Sequence, residues 1–220
     1  MAIVINGSGT VTGLAVGGLP DGTVDDGTVA SGIASSKLTG ALPAISGASL
    51  TGFTDAQMPA GSVLQVVSDT LTSTASTSVL ATGGSWADTG LSVAITPSST
   101  SSKIVISGMV NTGSNTPSNG CCLLRLMRAS TAIAVGDSAS ARTLASTGRG
   151  AESAGVNTIL TQTIHWIDSP STASAVTYKI QFASRGAGAG TSYINRTSTD
   201  SDNYEHQRTA SSLTLMEIAG

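Results

Sequence analysis

Residues 176–183 read VTYKIQFA, and this order constrains the fold more than any other stretch. Tyr178, Ile180 and Phe182 alternate with Thr177, Lys179 and Gln181. Successive side chains of a β-strand point to opposite faces, so a run of this period buries its apolar side only as a strand. From Gly61 onward similar runs recur at short intervals, with turn chemistry between them. The pattern predicts strands over 62–68, 86–95, 103–110, 121–128, 131–135, 156–168, 176–183, 191–196 and 211–218. The first is Val-rich and stops at Asp69-Thr70, and 86–95 is stopped by Pro97 after placing Leu91, Val93 and Ile95 on one face. The run Ile104-Val105-Ile106 is apolar on both faces, as an interior strand is. Ala129-Ser130 joins two runs as a hairpin. On 156–168, Leu160, Ile164 and Trp166 fall on one side. Nine strands and no convincing helix give an all-β, antiparallel β-sandwich or jelly roll over 61–220. Strands apolar on both faces exceed the needs of one small sandwich, and the excess suits packing between subunits.

Residues 1–60 are of another kind. Their apolar side chains stand singly, among them Val11, Leu14, Val16, Leu19, Val24, Val29, Ile33, Leu38, Leu42, Ile45 and Leu50, at spacings that fit neither period. Recurrent glycines argue against a long helix, though 30–38 has room for one helical turn. DGTV occurs at 21–24 and 26–29, and LTG at 38–40 and 50–52. Repeats that cannot bury their own apolar groups must bury them against neighbours, either the next repeat or another copy of the chain. Three copies around a common axis would turn each isolated Val, Leu or Ile inward, with Gly relieving the crowding. A flexible linker would also be rich in Gly and Ser, but a spacer has no use for regularly placed hydrophobes. The expected organisation is an attachment and shaft segment over 1–60, then a β-sandwich head over 61–220.

Composition excludes several classes of function. Only 10% of residues are charged and 3% aromatic, against 40% hydrophobic. A disordered chain has the opposite balance, so this one is expected to fold. Its surface must be covered by Ser, Thr, Asn and Gly. The net charge is −3, and nine of ten basic residues follow position 100 without forming a run, which does not suit nucleic acid. No stretch reaches the ~20 apolar residues of a membrane span. MAIVINGSG lacks the basic start and apolar length of a signal peptide, so an external role implies release by another route, such as cell lysis.

No catalytic constellation is legible. Neither His165 nor His206 has a recognisable nucleophile partner, and no Gly-x-Ser-x-Gly occurs. His165, mid-strand beside Trp166, reads as packed or interfacial. Adjacent strand residues point apart, so Cys121 and Cys122 read as small hydrophobes rather than a disulfide. Asp200, Asp202, Glu205 and His206 fall together in STDSDNYEH, a density of oxygen ligands that a hard cation could use. The stretch lacks the glycine and terminal Glu of an EF-hand, and the reading favoured is a solvated loop with no metal and no cofactor. Tyr193 precedes it and Tyr204 follows its aspartates, and an aromatic beside polar side chains is what sugar binding uses. Tyr193, Asp200, Asp202 and Tyr204 are therefore the candidate receptor contacts. Asn195-Arg-Thr matches a glycosylation acceptor, a chance match without a secretory signal.

ASGIASSKLTGALPAISGASLTG resembles the short shaft repeats of bacteriophage tail fibres, and MPAGSVLQVV resembles the passage from such a shaft into a terminal β-domain. LSVAITPSSTSSKIVI, RLMRASTAIAVGDSASART, IDSPSTASAVTYKIQF, YINRTSTDSDN and SSLTLMEIAG together resemble the C-terminal β-domain of tail-fibre-like proteins of marine bacteriophages, including cyanophages. The resemblance implies a non-enzymatic, homotrimeric appendage on the exterior of a virion. Its N-terminus would be held by other virion proteins, and its head would meet a host surface glycan or outer-membrane component. Loops 112–120, 145–155, 186–190 and 199–206 are the candidates for that contact. A capsid-decorating protein without a receptor and a free carbohydrate-binding module or lyase are the competing readings.

Overall fold

The computed structural model describes residues 54, 57–81, 84–115, 121–148, 157–185 and 190–220. The chain divides into two compact units after Gly52, and every described residue belongs to the second. The expected shaft, its repeats and the helical turn at 30–38 lie outside the described residues.

Eleven strands form two antiparallel sheets, and no α-helix occurs among the described residues. The larger sheet is built from β1 (Val63–Leu71), β2 (Ala75–Thr77), β4 (Lys103–Ser114), β8 (Ile159–Asp168), β10 (Ser192–Ile194) and β11 (Ser211–Ile218). Its order is β1-β11-β4-β10-β2, with β8 on the other side of β4. The smaller sheet is β3 (Ala87–Ile95), β9 (Val176–Arg185), β5 (Cys121–Arg128) and β6 (Thr131–Ile133), with β7 (Thr147–Gly148) also on β5. The all-β, antiparallel sandwich expected from the sequence is thus observed.

Alternation decides what lies between the sheets. Ile104, Ile106 and Val110 of β4, Leu213 and Leu215 of β11 and Ile164 of β8 face Leu91, Val93 and Ile95 of β3, Tyr178, Ile180 and Phe182 of β9, and Cys122, Leu124 and Leu126 of β5. Burying one such side chain contributes about 1.5–3 kcal/mol. Aliphatic residues therefore build the core, with Tyr178 and Phe182 as its largest rings. The layers approach closely at Gly108 of β4, where an added Cβ would lie 3.1 Å from Ile180 Cδ1.

Two buried carboxylates fasten the layers. Asp168, at the end of β8, accepts Arg128 Nη1 at 3.0 and 3.1 Å and the Tyr178 hydroxyl at 2.6 Å, joining β8 to β5 and β9. Burial, reinforced by the Asp168 carboxylate, pushes the Tyr178 phenol far above its ordinary value. Glu217, fully buried in β11, accepts Ser98 N–H, Ser98 Oγ and Ser102 Oγ, each at 2.7 Å, and the Gln65 amide. Those donors tie the β3–β4 connection and β1 to β11. Burial opposes ionisation of Glu217, but the hydrogen bonds from Gln65, Ser102 and Ser98 outweigh it and hold its pKa below the usual value.

Several expectations shift in detail. The first strand runs on through Asp69-Thr70 to Leu71, because the Asp69 carboxylate accepts Ser92 N–H at 3.2 Å and stitches β1 to β3 rather than opening a turn. The hairpin turns at Ala129, with φ of +51°, but β6 ends at Ile133. β2 and β7, of three and two residues, carry no pattern to read. Trp166 does not share the burial of Ile164: it remains 46% exposed, because β8 lies at the sheet's margin beyond the cover of the opposite layer.

Two outcomes follow from this packing. Gly108→Val should lower stability by about 1–3 kcal/mol through overpacking against Ile180, read from urea unfolding. Glu217 has a depressed folded pKa, so its contribution is complete above the unfolded value of 4.5 and is lost as pH falls through the folded one. The urea midpoint should therefore drop below about pH 5, and Glu217→Gln should lower stability at pH 7 while flattening that acid limb.

Candidate functional site

The structure places the candidate contacts in and after β10 in different settings. Tyr193 lies within β10, between β2 and β4, and is only 8% exposed, with the Arg196 guanidinium 4.1 Å from its ring centroid. Of the candidate receptor contacts it is therefore a buried one, part of the body of the domain. Asp200 is held by Arg208, Nε to Oδ1 and Nη2 to Oδ2 at 2.8 Å each. The Arg208 hydrogen bonds lower the pKa of this carboxyl. His206 Nδ1 contacts Ser201 Oγ at 2.8 Å, so that imidazole is engaged within its own loop. Asp202 and Tyr204 are exposed, Tyr204 by 93%. Among the described residues no three His, Cys, Asp or Glu side chains converge as metal ligands. Asn195 is fully buried: its amide donates to Leu71 O at 2.7 Å and Ser73 O at 3.0 Å and accepts Ser211 Oγ at 2.6 Å. A glycan has no access there.

A more elaborate arrangement lies on the outer side of the smaller sheet. The register places Asp88 of β3 opposite Gln181 of β9, and Gln181 opposite Arg125 of β5. Gln181 donates to Asp88 Oδ1 at 2.6 Å and accepts Arg125 Nε and Nη2 at 2.9 and 2.7 Å. Lys179 reaches Asp88 Oδ2 at 2.9 Å. Burial raises the Asp88 pKa, but the hydrogen bonds from Gln181 and Lys179 outweigh it, so the carboxyl stays ionised below its ordinary range. The Arg125 guanidinium then stacks 4.5 Å from the centroid of Trp86, just before β3. A ladder of charge, amide, cation and ring thus crosses three strands.

Three cavities open beside it. One, of about 460 Å³, is bounded by Asp88, Ser92, Thr177 and Lys179. A second, of about 310 Å³, lies between Trp86, Arg125 and 140–144. The third, of about 520 Å³, shares Ala141, Arg142 and Thr143 with the second and continues to Leu123 and Arg185. Alternate positions 177, 179 and 181 reveal a polar face in the sequence, but nothing there tells which residues of β3 and β5 stand opposite. The register was the missing information.

The outer side of the larger sheet has the contrary character. Register aligns Ile167 of β8, Val105 of β4, Met216 of β11 and Val66 of β1 in one row. Ile167 is 62% and Val66 57% exposed, and Met109 is exposed on the same face. Among the described strand residues, Lys103, His165 and Tyr193, the last opposite Gly113, are the ionisable groups placed there. His165 is exposed, not packed within the domain. No strand pairs with the far edge of β8 among the described residues.

No family matches the chain, and no curated protein does. Among solved structures, one chain titled "Structure of infectious bursal disease virus Gx strain" aligns with 81% of this chain at 14% identity and a TM-score of 0.33. The chain spans about half of that one, 47% of its length. A superposition so loose does not relate the two folds.

The stack on Trp86 yields a direct expectation. In a Trp166→Phe background, which leaves Trp86 as the single indole, Arg125→Ala should raise acrylamide quenching of its fluorescence. The stability loss should be about 1–2 kcal/mol, from the cation–π contact together with the hydrogen bonds to Gln181.

Proposed function

We propose that the chain is a non-enzymatic structural protein of a bacteriophage particle, a homotrimeric fibre- or spike-like appendage. Residues 1–60 hold it to other virion proteins, and the sandwich is carried outward as a head that meets the host surface. The observation that supports assembly is the row Val66–Met216–Val105–Ile167. A contiguous apolar stripe across four strands is costly to leave in water, and such stripes mark interaction surfaces. The row ends on a ten-residue strand whose far edge is unpaired among the described residues, and folded proteins normally shield such an edge. Copies of the same chain suit this face, since with few ionisable groups it meets its own image without like-charge repulsion. Three heads at one tip gain affinity by multivalency, so each contact with a host can be shallow.

Light scattering tests the assembly. Three times 21.7 kDa, about 65 kDa, is the expected mass. Ile167→Lys lies at an exposed position, so it should leave the monomer folded and drive the mass toward 21.7 kDa. A wild-type chain that is monodisperse at 21.7 kDa would overturn the reading. Electron microscopy of the particle then separates a tail appendage from a capsid decoration.

A further inference from the structure

The two cavities that share Ala141, Arg142 and Thr143 belong neither to the ladder's internal bonds nor to the apolar face. Arg125 and Arg142 line the first and Arg142 and Arg185 the second, in a chain of net charge −3. Between the cations stand hydroxyls of Ser140 and Thr143 and apolar surface from Trp86, Leu123 and Leu144. We propose that this double cavity binds a saccharide bearing carboxylate or sulfate groups, and that this is the head's surface contact. The inference rests on the receptor role proposed above and names the chemistry of its ligand.

Each component has a counterpart in such a ligand. Guanidinium groups present paired N–H donors that match carboxylate and sulfate oxygens. Arg125 already spends Nε and Nη2 on Gln181, and stacking on Trp86 fixes its plane, so it is preorganised. Arg142 is exposed on the rim. The Ser and Thr hydroxyls suit sugar hydroxyls, while Trp86, Leu123 and Leu144 suit the apolar C–H faces of a pyranose ring. Volumes of about 310 and 520 Å³ on either side of the shared residues 141–143 each leave room for a sugar unit rather than a lone anion. A nucleic acid fits less well, because one indole offers no succession of stacking platforms and the cations form no track.

Isothermal titration calorimetry of the full chain in 150 mM salt tests this, with trigalacturonate, a sulfated trisaccharide, maltotriose, inorganic sulfate and oligothymidylate as probes. Saturable binding of the carboxylated or the sulfated trisaccharide is expected, and whichever binds identifies the anionic group. Maltotriose should not bind. Arg142→Glu should weaken binding at least tenfold, Arg142→Lys less, and Lys103→Glu, on the opposite sheet, not measurably. Circular dichroism should show all three variants folded, since both positions are exposed. Failure of both acidic trisaccharides to bind would overturn the proposal. Equal weakening by Lys103→Glu and Arg142→Glu, equal affinity for inorganic sulfate, or tighter and equally Arg142-dependent binding of oligothymidylate would also do so. Light scattering on the same sample keeps the two readings apart: a trimer that binds no acidic saccharide refutes the ligand alone, and a monomer that binds one refutes the assembly alone.

Discussion

A β-sheet has two faces and a sandwich covers only one, and β4 is where that constraint is felt most. Its inner side carries Ile104, Ile106 and Val110 into the core, and its outer side carries Val105 and Met109 toward water. It pairs with β11 and β10 along one edge and β8 along the other, so the larger sheet is organised around it. Whatever covers Val105 also covers Met216 and Ile167, because cross-strand register puts them side by side. Packing of the two sheets buries the inner side, while among the described residues nothing buries Ile167, Val66 or Met109 on the outer one.

The same economy explains how so weakly charged a chain holds its layers in register. Hydrophobic contact between sheets is non-directional, and aliphatic residues alone would permit sliding. Asp168 and Glu217 supply the direction, each bound by several donors from elements that are remote in sequence. A buried carboxylate with its hydrogen bonds intact fixes geometry, whereas one deprived of a partner is strongly destabilising. Asn195, at φ of +58°, extends the principle to the end of β1, to β11 and, through its backbone N–H to Asn111 O, to β4. Short polar side chains, rather than pairs of long ions, do most of this fastening.

The sequence conveys the parts of the architecture that depend on period alone. Tyr178, Ile180 and Phe182 alternate cleanly because both edges of β9 are paired and one of its faces is core, and the strand appears where the pattern puts it. The same logic separates Leu91, Val93 and Ile95 from their neighbours. It fails where a neighbour decides. Asp69 reads as a turn residue until Ser92 is known to stand beside it, and Trp166 reads as core until β8 is known to be marginal. The burial of Tyr193 is not legible because SYI is too short to show a period, yet β2 and β4 enclose it. The outer ladder was invisible for a related reason: Asp88, Arg125 and Gln181 are distant in sequence, and only register brings them together.

These two outer faces impose different chemistry on whatever meets them. On the larger sheet the exposed row is apolar, nearly free of charge and ends at an edge that is unpaired among the described residues. On the smaller sheet Arg125 is fixed in place by an amide and an indole, and cavities lined by Arg125, Arg142 and Arg185 adjoin it. Ion pairs left within a self-associating interface would have to shed their water, at a cost that a surface groove does not incur. Segregating greasy and ionic character onto opposite sides lets association bury the first without desolvating the second. A head assembled through the larger sheet would therefore keep its arginines outward, which is the orientation that contact with an anionic surface requires.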